Sequence, residues 1–253
     1  MEILSRVRGW PGYVALVAVL SVPFYLLGTG GASLPFVAAL PLSAVMVVIP
    51  TLAAVALTES WAGVRRLLAR LGQWPGLLWS IIAVAIMPLV FWLAAVVMAT
   101  TGAHLPAVQW LPATGMAAAM VIFAVGAVFE ELGWQGYAYP RMRFAPLWSA
   151  LLVGVIWALW HVVPFAEMGH SGAWIFWHCL VTVALRIIMV WLVESARQNL
   201  VIAVLFHMMI NAPFGVIGNF AVFYDPMIAA ILLWLLVVAL VVLHGAGLGR
   251  EAG

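Results

Sequence analysis

Seven side chains of this 253-residue chain sit inside apolar runs where polar groups are costly: Glu130, Glu131, His161, His178, Arg186, His207 and Asn211. The two glutamates are adjacent in VIFAVGAVFEELGWQG, His161 lies in WALWHVVPF, and His207 and Asn211 lie four apart in LFHMMINAP. A charge at hydrocarbon depth costs about 2.5–3.5 kcal/mol on insertion scales, so it is retained where it has a partner or faces a water-filled cavity. A carboxylate beside a neutral imidazole can hold and deprotonate a water. A second imidazole with an amide donor can stabilise the oxyanion of a tetrahedral intermediate. This set is therefore sufficient for water-mediated hydrolysis of an amide or ester without a serine or cysteine nucleophile. Two other readings stay open on residue types alone. Intramembrane His and Asn serve as hydrogen-bonding glue between helices, and paired carboxylates serve as proton relays in carriers.

The elements that must position these groups are membrane helices. Hydrophobic residues make up 67% of the chain, charged residues 7%, and the mean hydropathy is +1.20. A soluble domain carries about a quarter charged residues, so the composition specifies a polytopic membrane protein. Eight runs are long enough to cross, at 11–28, 34–57, 77–99, 111–138, 146–164, 173–194, 199–218 and 224–243. The first follows Arg6 and Arg8 and resembles a signal peptide, but no small-x-small cleavage site follows it, so it is read as a retained span.

Arginine placement tests that topology. There is no lysine, and Arg6, Arg8, Arg65, Arg66, Arg70, Arg141, Arg143, Arg197 and Arg250 all fall in the N-terminal arm, alternate loops or the C-terminal tail. The opposite loops carry His104, Glu167, His170 and Asp225 but no arginine. The positive-inside rule then puts both termini in the cytoplasm. The tenth arginine, Arg186, lies within the sixth run. Cys179 is alone, which leaves no disulfide framework. With short loops and no Ser/Pro-rich linker, residues 1–253 read as a single transmembrane domain. The stretch around Arg65–Arg70 reads as an amphipathic piece at the inner interface. No internal repeat is evident, which weighs against carriers built from inverted halves.

Counting back from the cytoplasmic ends at 1.5 Å per residue puts Glu130, His161, Arg186, His207 and Asn211 about 12–22 Å deep, in one layer. His178 comes out nearer the outer side. Adjacent helical residues point about 100° apart, so a narrow cleft takes one of the two glutamates. Arg186 is expected to be the counter-ion of Glu131. The pairs Glu131/Gln135, Trp157/His161 and His207/Asn211 each have the spacing that shares a helix face.

Three stretches resemble the signature motifs of the CPBP family of membrane proteins, which includes CAAX prenyl endopeptidases and bacterial bacteriocin-processing or self-immunity proteins. FEELGWQGYAYPRM is similar to the Glu-Glu motif, WALWHVVPF to the aromatic-x-x-x-His motif, and LFHMMINAP to the His-x-x-x-Asn motif. Their order fits over a motif-bearing core of about 111–218. The resemblance implies an intramembrane glutamate-dependent endopeptidase acting on a membrane-associated substrate. Glu130 would activate water with His161, His207 and Asn211 would form the oxyanion hole, and Glu131 would support or orient. Gln135 departs from the motif, which has arginine there. Arg186 is expected to supply the missing charge from the sixth run. The alternative is a protein that has lost proteolysis and kept a peptide-binding, immunity or scaffold role.

The histidines and glutamates are scattered with no His-Glu-x-x-His helix, so neither a metal nor another cofactor is expected. The expected partners are the bilayer and a membrane-bound peptide or protein, with no nucleic acid. A lysine-free, arginine-only basic set fits a GC-rich bacterial genome and a multi-pass protein of its inner membrane.

Overall fold

The structure, a computed structural model, describes residues 8–28, 33–34 and 37–250. Arg6, assigned above to the cytoplasmic arm, lies outside the described residues. Helix α1 (Trp10–Gly28) is followed by two short strands, β1 (Ser33–Leu34) and β2 (Val37–Pro41), paired antiparallel. A 3₁₀ segment, Leu42–Val48, then runs into α2 (Ile49–Leu57). The amphipathic α3 (Trp61–Ala69) starts at Ser60, whose Oγ accepts from the Gly63 amide.

The long apolar helices follow: α4 (Leu77–Thr100), α5 (Ala113–Glu131), α6 (Pro146–Glu167), α7 (Gly172–Ser195), α8 (Leu200–Val216) and α9 (Pro226–His244). Ser171, Asn199 and Asp225 cap α7, α8 and α9, each accepting from backbone amides of the first turn. Helices keep every backbone polar group satisfied within the segment, which is the condition for crossing hydrocarbon.

Among the described residues, six segments are long and apolar enough to cross a membrane: α1, α4, Ala113–Arg141, α6, α7 and Pro226–Gly247. Two of the eight expected runs are shorter as helices, at Ser43–Leu57 and Leu200–Val216. The run 34–57 loses its first part because Val37–Pro41 is extended and paired with β1. The run 199–218 is trimmed by the Asn199 cap at one end and by extended backbone at Ile217 at the other. Hydropathy alone registers neither boundary.

Helix α7 is the hub of the bundle. It packs most extensively against α6 and α9, while α5 packs against α8. Buried residues make up 61% of the α7 window, against 11% for Ala113–Arg141, so a charged group on α7 is enclosed by protein and shielded from lipid.

Beyond Glu131 the α-helical ladder opens into a π-helix, Leu132–Ala138, which continues through a 3₁₀ turn, Tyr139–Arg141. A π turn shifts the backbone bonds by one residue. Three side chains donate to carbonyls in or just before it. Thr51 Oγ1 donates to the Phe129 carbonyl, Arg70 Nη1 to the Gly136 carbonyl at 3.0 Å, and Arg141 Nη1 to the Tyr137 carbonyl at 2.8 Å. The turn is pressed against α2 at Gly133, where a Cβ would collide with the Tyr13 hydroxyl and the Pro50 backbone. Gly133→Ala is therefore expected to cost about 1–3 kcal/mol through overpacking. Gly126, which has open space around it, gives the control: Gly126→Ala should leave the melting temperature of the purified protein unchanged or raised, while Gly133→Ala lowers it.

Candidate active site

Arg186 and Glu131 form the centre of the cluster. Arg186 reaches across from α7 with Nη1 at 2.6 Å from Glu131 Oε2 and Nη2 at 3.1 Å from Oε1. Both side chains have no solvent exposure. This two-pronged geometry is the strong form of a guanidinium–carboxylate contact, and it holds Glu131 as the carboxylate. The guanidinium also lies 4.2 Å over the Trp157 ring, and Nη1 is 3.1 Å from Met189 Sδ. Cation–π and thioether contacts replace part of the hydration that the arginine has lost.

Glu131 has a third partner. His207 Nδ1 lies 2.7 Å from Glu131 Oε1. A carboxylate only accepts, so Nδ1 carries a proton and donates it there. The other imidazole nitrogen, Nε2, faces Glu130 Oε1 at 3.9 Å. Glu130 is fixed from its far side by Trp157, whose Nε1–H donates to Oε2 at 2.7 Å. Four helices thus contribute to one buried chain: Arg186 of α7, Glu131 of α5, His207 of α8, Glu130 of α5 and Trp157 of α6. Glu130, Glu131, Trp157, Arg186 and His207 are all buried.

His161 lies one turn beyond Trp157 on α6 and is half-buried. Its Nδ1 is 2.8 Å from the Trp157 carbonyl, which can only accept, so Nδ1 carries a proton and donates it there. Its ring meets Trp157 edge-on at 5.4 Å between centroids and stacks on Phe165 at 5.7 Å. Asn211, one turn beyond His207, is half-buried, and its amide makes no hydrogen bond among the described residues. His178 stands apart, with Nδ1 2.5 Å from the Tyr224 hydroxyl and its ring against Trp174 and Phe165.

Gln135 lies inside the π turn, 1% exposed, and both its amide atoms lack a partner among the described residues. Its four-residue spacing from Glu131 spans the start of the π turn at Leu132. Sequence reasoning missed the Trp157–Glu130 bond, although the aromatic residue four before His161 was visible as part of a motif. The π turn itself had only Gly133 and Gly136 as a signal. Among the described residues, no three His, Cys, Asp or Glu side chains are grouped to hold a metal ion.

A buried pair broken on one side leaves an unpaired charge, which costs about 3–5 kcal/mol, whereas replacing both members with apolar residues is often neutral. Arg186→Leu is therefore expected to lower the melting temperature sharply, and adding Glu131→Leu should recover much of the loss. Equal melting temperatures for wild type and Arg186→Leu would contradict the pairing.

A family model described as Type II CAAX prenyl endopeptidase Rce1-like matches residues 110–213. CAAX prenyl protease 2 of Methanococcus maripaludis is 31% identical over 103 residues, covering 36% of this chain. The match spans 38% of the length of that relative. Glu130, Glu131, Trp157, His161, Arg186, His207 and Asn211 all fall within 110–213. The segment holding the whole cluster is therefore the one that is similar to the Type II CAAX prenyl endopeptidase Rce1-like family, the same stretch on which the motif resemblance rests.

Proposed function

We propose that this multi-pass membrane protein is an intramembrane endopeptidase that hydrolyses a peptide bond of a membrane-associated substrate with a water activated by Glu130. The observation that carries the reading is the 3.9 Å separation of Glu130 Oε1 and His207 Nε2. Each residue has its other polar atom already engaged, Glu130 by Trp157 and His207 by Glu131. The gap is too long for a direct hydrogen bond and of a size that one water bridges.

In this scheme the water gives a hydrogen bond to Glu130 Oε1, and its oxygen attacks the carbonyl carbon as the proton passes to Glu130. In the neutral ring His161 Nε2 is an acceptor and takes the second hydrogen bond of the water. The carbonyl oxygen becomes the oxyanion and takes hydrogen bonds from protonated His207 Nε2 and from the Asn211 amide. The C–N bond then breaks, and Glu130 returns its proton to the leaving amine. Glu131 accepts from His207 Nδ1 throughout, which orients the ring. Arg186 keeps Glu131 ionised, the task that Gln135 lacks the charge to perform. That supports catalysis over a peptide-binding, immunity or scaffold role. No step in the scheme calls on a metal ion or other cofactor.

For topology, the two shorter apolar helices are read as crossings beside the six longer ones. Both termini and the arginine-rich loops then face the cytoplasm of a bacterial inner membrane. The name of the Methanococcus maripaludis relative, CAAX prenyl protease 2, makes a prenylated CAAX peptide the first substrate to try.

Glu130→Gln, His161→Ala and His207→Ala should each lower cleavage by roughly 10²–10⁴-fold while insertion is retained. Membrane peptidomes of cells carrying wild type or Glu130→Gln supply the readout where the substrate is unidentified. Cleavage products at wild-type levels with Glu130→Gln would falsify the assignment.

A further inference from the structure

Four of the chain's arginines converge on a cavity outside the buried cluster. Its volume is about 460 Å³, in the range of small-molecule sites, and Arg8, Arg66, Arg70 and Arg141 line it together with Glu59. Four guanidinium groups therefore face a single carboxylate. That carboxylate is taken by Arg8, whose Nη1 is 2.6 Å from Glu59 Oε1.

Two of the arginines are braced from behind. Arg70 donates to the Gly136 and Gln198 carbonyls at 3.0 and 3.2 Å, and Arg141 bonds the Tyr137 carbonyl while lying 3.6 Å over the Tyr137 ring. Arg66 is exposed and has no ion-pair or hydrogen-bond partner among the described residues. Ser60 and Gly63, at the N-terminal end of α3, also border the cavity. A helix start adds partial positive charge to the site.

We propose that this cavity binds the headgroup of an anionic phospholipid, with the phosphodiester among the guanidinium groups of Arg66, Arg70 and Arg141. Guanidinium forks suit phosphate oxygens, which accept two parallel hydrogen bonds. A cluster of arginines gives the excess positive charge that distinguishes a phosphatidylglycerol-type headgroup from a zwitterionic one. The position fits a lipid source. Helix α3 is amphipathic, and Trp61 and Trp74 near its two ends are 71% and 76% exposed, as indoles at headgroup level are. The cavity also touches Gly136 and Tyr137 of the π turn, so an occupant would brace the segment that follows Glu130 and Glu131.

The test uses the full-length protein and reads binding, so it is independent of any proteolytic activity. Native mass spectrometry would compare retention of phosphatidylglycerol and phosphatidylcholine by wild type, Arg66→Gln and Arg65→Gln. Arg65 is an equally exposed arginine on α3 that does not line the cavity. Wild type and Arg65→Gln should retain phosphatidylglycerol, and Arg66→Gln should bind it roughly tenfold more weakly. Equal losses for the two variants would show diffuse surface attraction and overturn the proposal. So would equal retention of phosphatidylcholine. Inorganic phosphate is the remaining arm: if it alone displaces the lipid and reproduces its thermal stabilisation, the site belongs to a soluble phosphate and the lipid assignment fails. An unchanged melting temperature of Arg66→Gln in phosphatidylcholine shows that the variant is folded.

Discussion

The buried ion pair between Arg186 and Glu131 is the constraint around which the functional half of the molecule is arranged. Neither side chain has any contact with solvent. Removing two charges from water is repaid only when geometry is good and the remaining polar atoms find partners. That requirement accounts for most of the surroundings, although Arg186 Nε has no partner among the described residues. Trp157 covers the guanidinium, Met189 sits against Nη1, and His207 takes the spare capacity of Glu131 Oε1. It also accounts for the location of Arg186 on α7, the most enclosed of the crossing helices.

From this pair the arrangement runs outwards in two directions. Through His207 it fixes one imidazole with Nε2 turned to Glu130. Through Trp157, which both covers Arg186 and donates to Glu130, it fixes the carboxylate on the other side of the 3.9 Å gap. The adjacent glutamates therefore divide their labour, as their angular separation on α5 requires. Glu131 is consumed by structural contacts, and Glu130 keeps one oxygen uncommitted. The π turn that follows holds this end of α5 against α1 and α2, with Gly133 permitting the close approach and Thr51, Arg70 and Arg141 donating to nearby carbonyls.

Much of this is legible in the sequence, for identifiable reasons. Apolar length marks the crossing helices, and the cost of buried charge singles out Glu130, Glu131 and Arg186 wherever they end up. The Arg186–Glu131 contact follows from depth and sign of charge, because an arginine inside one run and a glutamate at similar depth in another have few other options. The rest is set by tertiary partners. Residues 37–41 are as apolar as a helix, yet they pair as a strand. The carbonyls in and beside the π turn take donors from Thr51 and Arg70, more than 60 residues away in sequence. The choice of Glu131 over Glu130 as the partner of His207 depends on helix rotation, which spacing along one helix leaves undetermined.

The central claim is that Glu131 holds the His207 ring with its Nδ1 protonated and its Nε2 directed to Glu130. Nitrogen-15 NMR of the histidine-labelled protein, with His207→Gln used to assign the resonance, reads that state directly. The account predicts a strongly hydrogen-bonded Nδ1–H on His207 that is lost in Glu131→Gln. A neutral His207 protonated at Nε2, and indifferent to Glu131→Gln, would contradict it.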